Sequence, residues 1–279
     1  MKTVFFRLFL IALLLFHATG AYAVISCSIS SPGFYQMYDS TVATNTTTSS
    51  SVTISCTRTL ADTTTQTYTL SASNGLQPSG QTNQAKSAAG GLIKYNEYQD
   101  AAFAFVWGPT TPKSFAGTIN FGTGTSATAI LPFYASITAL QAVAAANYSD
   151  TVTMTLTYGV ATATATHSVS ISTVPQCMIS KAPGNVVLSY TSFQGAAAAA
   201  STTFAATCTT ALPYTMALDA TSGTINGVSY TVGLSAGSGT GTGLAQTYSI
   251  NGSAAAGQSG TCATATCTGS NVRTLTITF

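Results

Sequence analysis

An all-β fold built as two β-sandwich domains is predicted by three features: alternation of apolar and polar residues, frequent turn clusters, and an internal repeat. The alternation is clearest in residues 151–158, where Val152, Met154, Leu156 and Tyr158 share one strand face. It returns in residues 274–279, where Leu275, Ile277 and Phe279 do the same. Clusters such as Ser73-Asn74-Gly75 and Gln77-Pro78-Ser79-Gly80 punctuate the runs as turns. No segment carries a convincing helical period.

Residues 1–23 read as an export signal. Lys2 and Arg7 give a positive start, residues 8–16 a short apolar run, and Ala21-Tyr22-Ala23 a small-x-small cleavage site. The apolar run is too short to span a bilayer, so a mature chain beginning near Val24 is expected. Without Lys2 and Arg7 the chain keeps six bases and six acids and is formally neutral. It lacks the clustered Lys and Arg that nucleic-acid binding requires. Its sparse charge is replaced by Ser, Thr, Ala and Gly, as expected of a surface that packs against copies or lies on a substrate.

Six cysteines in an exported chain are expected to pair. The spacing suggests Cys27–Cys56, Cys177–Cys208 and Cys262–Cys267, although spacing alone does not fix connectivity. A metal site is not expected, because His167 is the one histidine after the signal and no CxxC pair occurs. No cofactor motif is present either, and none is expected.

The first domain is assigned to residues 24–174. After Cys27-Ser28-Ile29-Ser30 comes a Thr/Ser-rich run at 44–51, which leads into the strand Val52-Thr53-Ile54-Ser55-Cys56. Residues 67–71 alternate again. Residues 101–108 hold Phe103, Phe105 and Trp107 at alternate positions, which reads as an inward strand face or as a contact surface. Residues 137–147 lie between two strand-like runs, and Leu140 and Val143 are candidates for exposure at a loop tip. Residues 161–172 keep strict alternation, with Ala161, Ala163, Ala165, His167, Val169 and Ile171 on one face. They are expected to be a strand that completes the first domain, ended by Pro175.

The second domain, residues 175–279, repeats the first. Cys177-Met178-Ile179-Ser180 matches Cys27-Ser28-Ile29-Ser30, Tyr214-Thr215-Met216 matches Tyr68-Thr69-Leu70, and residues 274–279 match 151–158. Residues 196–200, all alanine, are expected to be a loop. Nothing in the sequence after residue 279 matches the completing strand of the first domain, so the second domain is expected to lack one strand. Only Val24, Ile25 and Ser26 would precede Cys27 after processing, too few for an ordinary strand. The expectation is a chain that needs a strand and has none to lend.

The first domain resembles the spore coat protein U domain family, found in secreted pilins of archaic chaperone–usher pili. The residues that carry the resemblance are Cys27 and Cys56, Tyr95-Asn96-Glu97-Tyr98-Gln99-Asp100, Val106-Trp107-Gly108, Leu131-Pro132-Phe133-Tyr134 and Tyr148-Ser149-Asp150-Thr151-Val152-Thr153. The second domain matches more loosely, and departs where Gly260-Thr261-Cys262 to Cys267 replaces the Tyr-Ser-Asp approach to the last strand. The resemblance implies immunoglobulin-like subunits, each completed by a strand from its neighbour. Its partners would be a periplasmic chaperone before assembly, an outer-membrane usher, and an adjacent pilin that donates the strand. Donation is β-augmentation: an open edge and an apolar groove accept an extended segment. Leu275, Ile277 and Phe279 would line the acceptor groove.

A subunit that accepts but does not donate sits at one end of a fibre, which the family implies is the distal tip. The sequence therefore reads as a tip adhesin, secreted through the periplasm to the cell surface. It would mediate adhesion or biofilm formation on an abiotic or host surface, with Leu140, Val143, Phe103, Phe105 and Trp107 as contact candidates. The alternatives are a structural rod pilin, a spore or outer-coat protein, and a carbohydrate-binding tip. An enzyme is not expected, because His167 has no evident nucleophile or orienting partner in the sequence and the six acids form no recognisable pair.

Overall fold

The computed structural model describes residues 25–109 and 113–279. The expected signal at 1–23 lies outside the described residues. Ten strands make the first unit: β1 (Ser26–Ser30), β2 (Phe34–Tyr38), β3 (Thr46–Thr57), β4 (Thr65–Ala72), β5 (Asn83–Ser87), β6 (Leu92–Tyr98), β7 (Phe115–Asn120), β8 (Ser126–Ile137), β9 (Ala146–Tyr158) and β10 (Ala161–Thr173). They belong to one ten-stranded sheet. The second unit holds β11 (Cys177–Lys181), β12 (Ala198–Cys208), β13 (Pro213–Leu218), β14 (Ser222–Ile225), β15 (Val228–Leu234), β16 (Ser238–Thr240), β17 (Ala245–Ala254) and β18 (Leu275–Thr278). These form a five-stranded and a three-stranded sheet. Among the described residues there is no helix, and the protein is all-β as expected.

Strand formation follows from the alternation. Along β9, Tyr148, Val152, Met154, Leu156 and Tyr158 point inward and are buried, while Thr153, Thr157 and Ser149 face out. Burying each large apolar side chain contributes about 1.5–3 kcal/mol. Because side chains alternate, a one-residue slip would expose the whole set, so the pattern fixes the register.

The two units share one topology. In the first, pairing runs β1-β3-β8-β6-β5, with β4 between β7 and β9. In the second it runs β11-β12-β17-β15-β14, with β13 between β16 and β18. Eight strands of the first unit thus correspond to the eight of the second, and one disulfide in each corresponds too. Cys27–Cys56 joins directly paired positions of β1 and β3, and Cys177–Cys208 does so for β11 and β12. Cys262–Cys267 closes a loop before β18. One packing detail repeats as well. The Tyr68 ring lies over its cross-strand partner Gly117, and the Tyr214 ring lies over Gly239. Two strands of the first unit have no counterpart in the second: β2 and β10.

The units follow one another in the same orientation. β9 begins at Ala146, beside the second unit, where Ala144 bridges Thr210 in parallel. It ends at Tyr158, at the far pole. The loops after β3, β7 and β9 gather at that far pole, because Thr57 pairs Ser126 and Thr65 pairs Asn120.

Two local expectations are corrected. Residues 101–105 form turns rather than a strand, and Val106 makes only an isolated bridge to Tyr98. Asp100 imposes this by accepting the backbone N–H groups of Ala102, Ala104 and Phe105, which curls the chain around its carboxylate. The alanine run at 196–200 is not all loop: β12 starts at Ala198, which pairs with Ala254.

Candidate functional site

The site follows from comparing the two closing strands. In the first unit β10 pairs antiparallel with β9 along its whole length, from Ala161 opposite Tyr158 to Thr173 opposite Ala146. Its other side pairs parallel with β2, Val169 opposite Phe34 through Thr173 opposite Tyr38. β10 therefore fills a gap between β9 and β2, as a completing strand should. Its inward residues His167, Val169 and Ile171 are buried and lie opposite Val152, Asp150 and Tyr148 of β9, while Ala165 and Ala163 lie opposite Met154 and Leu156.

His167 is the least expected of these. Its Nε2 lies 2.8 Å from Glu97 Oε1, and both side chains are fully buried. The ring stacks on Phe133 at 5.3 Å between centroids and lies 6.1 Å from Trp107. His167 Nδ1 and Glu97 Oε2 have no protein partner. The orienting carboxylate was missed in the sequence, yet a signal was present. Glu97 falls in step with Ile93 and Tyr95 on the inward face of β6. Nearby, the Tyr95 hydroxyl donates to Asp150 Oδ2 at 2.7 Å. Burial, with the Glu97 and Asp150 charges beside it, pushes the Tyr95 phenol far above its ordinary range. His167 is thus part of the packed wall that β10 closes.

In the second unit the corresponding flank is open. β18 pairs with β13, Met216 opposite Ile277 and Leu218 opposite Leu275. Among the described residues no strand pairs with the other side of β18. Aligning Leu70 with Met216 makes Leu156 equivalent to Ile277, Met154 to Leu275, and Tyr158 to Phe279. The first members of these pairs are buried, whereas Leu275 and Ile277 are half-buried and Phe279 is 54% exposed. The second core is small, built on Phe204, Cys208, Tyr214, Met216 and Ile250. Val186, Leu218, Val232 and Leu234 pack against it without being fully covered. β18 thus ends its sheet with an edge that no strand of the described residues pairs, beside apolar side chains that are only partly covered. Leu275, Ile277 and Phe279, expected to line an acceptor groove, lie together on β18 and its end.

The expected contact residues are not gathered in one place. Trp107 is 1% exposed, wedged against Phe115 and Phe133, with its indole N–H donating to the Leu70 carbonyl at 3.1 Å. Val143 is 7% exposed and belongs to the first core. Neither is a surface residue, because both apolar side chains find room inside. Phe103 is half-buried, its ring edge-on to Tyr98 and Tyr134. Phe105 and Leu140 are exposed. Leu140, however, sits on the loop that faces the second unit, not at the far pole.

Among the described residues, the far pole exposes the large apolar side chains Leu60 and Val160. Val160 rides the tight β9–β10 turn behind Gly159, whose φ of 55° suits glycine. Leu60 rides the loop after β3. Arg58 anchors that loop: it is buried, and it donates to the carbonyls of Asp62, Gly122 and Gly124 while its guanidinium covers the Phe121 ring. The sequence signal for Val160 was an apolar residue at a turn between two alternating runs.

The model of the Spore Coat Protein U domain family matches residues 12–155. Among curated proteins, none matches the chain. Among solved structures, the chain resembles the CsuC–CsuE chaperone–tip adhesion subunit pre-assembly complex from archaic chaperone-usher Csu pili of Acinetobacter baumannii. Identity is 14%, coverage is 91% of this chain and 100% of that one, and the TM-score is 0.49. It also resembles the CupB6 tip adhesin from Pseudomonas aeruginosa, with 11% identity, 92% and 96% coverage and a TM-score of 0.40. A third similar structure is the CooA pilin subunit from enterotoxigenic Escherichia coli, with 11% identity, 53% and 98% coverage and a TM-score of 0.37.

Proposed function

The chain belongs to the Spore Coat Protein U domain family, and on that premise we propose that it is the tip adhesin of a chaperone–usher pilus, built from an adhesive domain at 24–174 and a pilin-like domain at 175–279. The observation that carries the reading is the contrast between β9 and β18. The first is roofed by β10; the second has the same underlying strands and an uncovered apolar flank. A periplasmic chaperone covers that flank during export, an usher passes the subunit outward, and an adjacent pilin then supplies the strand.

The tip position draws support from where β10 goes. A shaft subunit needs a groove to be filled and a strand to lend. Here the strand that runs directly into the second unit is already spent inside the first. The far pole is then the end that meets a surface, abiotic or host. Leu60 and Val160 offer apolar area there on loops of low charge, and burying such area is favourable without a specific partner.

Co-expression with a candidate chaperone tests the groove: a stable complex should form, and a synthetic donor-strand peptide should displace the chaperone. Immunogold labelling tests the position. Label at fibre ends fits the tip reading, and label along the shaft would instead make the chain a rod pilin. Leu60→Ser with Val160→Ser should weaken attachment while pili still assemble, and Leu140→Ser should not.

A further inference from the structure

The junction between the two units is a finished example of how one sandwich of this kind meets the next. The chain leaves β10 at Thr173, crosses Val174-Pro175-Gln176 and enters β11 at Cys177. Buried Thr209 holds the crossing: its N–H donates to the Gln176 carbonyl at 2.9 Å, and its hydroxyl accepts the Gln176 N–H at 3.0 Å. Beside it, the strip that follows Gln141 touches the second unit. Ala142 lies so close to Gly243 that a methyl group there would come within 2.7 Å of the Ala142 backbone, and Ala144 bridges Thr210.

A clamp sets the position of that strip. The Tyr38 hydroxyl accepts the Gln141 N–H at 2.8 Å. The Gln141 side chain accepts the Lys94 N–H at 2.7 Å, donates to the Lys94 carbonyl at 2.9 Å, and donates to the Thr138 carbonyl at 3.0 Å. The second unit builds the same clamp at its own lower end. The Tyr190 hydroxyl accepts the Gln258 N–H at 2.8 Å. The Gln258 side chain accepts the Ser229 N–H at 2.7 Å, donates to the Ser229 carbonyl at 3.0 Å, and donates to the Ala255 carbonyl at 3.0 Å. Lys94 on β6 and Ser229 on β15 are at equivalent strands. Ser259, Gly260 and Thr261 therefore stand where Ala142, Val143 and Ala144 stand, and Ser259 and Thr261 are exposed.

Phe193 stands beside this second strip. It is 72% exposed, its φ is 58°, and its N–H is fixed to the Gln258 carbonyl at 2.8 Å. A bulky residue held in the left-handed region is costly, and such strain collects at contact sites.

We infer that residues 259–261 together with Phe193 form a second docking surface, separate from the β18 groove, and that its occupant is the pole of the next homologous sandwich, the part corresponding to Thr210 and Gly243. The inference rests on the proposed groove. A strand lying along β18 as β10 lies along β9 leaves the groove at this end, so it brings the next pole against the strip. The chemical requirement on that pole is a glycine, or a residue equally small, at the Gly243 position, because a side chain there strikes the strip.

The test places benzoylphenylalanine at position 193, 259, 277 or 160 of the full chain in pili assembled by the producing cells, followed by illumination and mass spectrometry. Positions 193 and 259 should give an adduct with the pole loops of the same subunit whose strand is captured at position 277, and position 160 should give no subunit adduct. Capture at 277 with none at 193 or 259 overturns the docking surface and leaves the groove standing. No capture at 277 overturns the groove, and the docking surface with it. Adducts at 193 or 259 that map only to the donated strand also overturn the docking surface.

Discussion

Ile277 stands in β18 where Leu156 stands in β9, and only Leu156 is roofed. Leu156 pairs with Leu70 on one side and Ala163 on the other, and it is fully buried. Ile277 pairs with Met216 on one side and is left half-buried on the other. One side chain is closed off within its own unit, and its equivalent is left partly uncovered.

Opposite outcomes are expected from one substitution at these two positions. Leu156→Asp buries an unpaired charge in the first core and should cost more than about 4 kcal/mol, unfolding that unit. Ile277→Asp should leave the first unit's melting unchanged while abolishing chaperone capture and incorporation into pili. Chemical denaturation and affinity pull-down read the two effects.

The Glu97–His167 contact should behave as a coupled pair. Glu97→Ala leaves a buried imidazole without its partner and should cost about 1–3 kcal/mol. Replacing both by apolar residues should cost less than the sum of the single changes. A double-mutant cycle by denaturant unfolding measures the coupling, and strict additivity would contradict it.

Glycine beneath tyrosine should be required equally in both units. A Cβ on Gly117 would come within 2.6 Å of the Tyr68 hydroxyl, and one on Gly239 within 2.6 Å of the Tyr214 ring. Gly117→Val and Gly239→Val should each destabilise by about 1–3 kcal/mol through overpacking. Thermal unfolding of the two variants checks this.

The Asp100 turn should loosen in acid. The Phe105 N–H, with those of Ala104 and Ala102, holds the Asp100 carboxyl below its usual range. A lowered folded-state pKa means that the carboxylate supports the turn above the ordinary aspartate range. The support is lost as pH falls through the lowered value. An NMR titration should show the amides of Ala102, Ala104 and Phe105 moving together with the carboxyl, and Asp100→Asn should remove that titration.

The sequence disclosed what periodicity encodes. The strand faces of β9, β10 and β18 were legible because period-two alternation survives in Val152 to Tyr158, Ala161 to Ile171 and Leu275 to Phe279. The two strand-bridging disulfides were legible because the domains repeat nearly the same spacing, 29 residues in one pair and 31 in the other. What stayed hidden depends on contacts between distant residues. Asp100 bends residues 101–105 through backbone bonds that leave no apolar pattern, so Phe103, Phe105 and Trp107 looked like a strand. The Gln141 and Gln258 clamps were invisible, because each joins three separate segments and the two copies share only a tyrosine and a glutamine. Leu140 looked like a tip residue because a sequence does not say at which end of a sandwich a loop emerges.

The most direct test of the open flank is hydrogen exchange in β18, with β9 as internal reference. In the full chain before assembly, the β18 amides that point away from β13 should exchange fast, while those of β9 are protected by β10. After the chain enters a pilus or binds its chaperone, the same β18 amides should gain protection. Protection of β18 equal to that of β9 in the isolated chain would contradict the account.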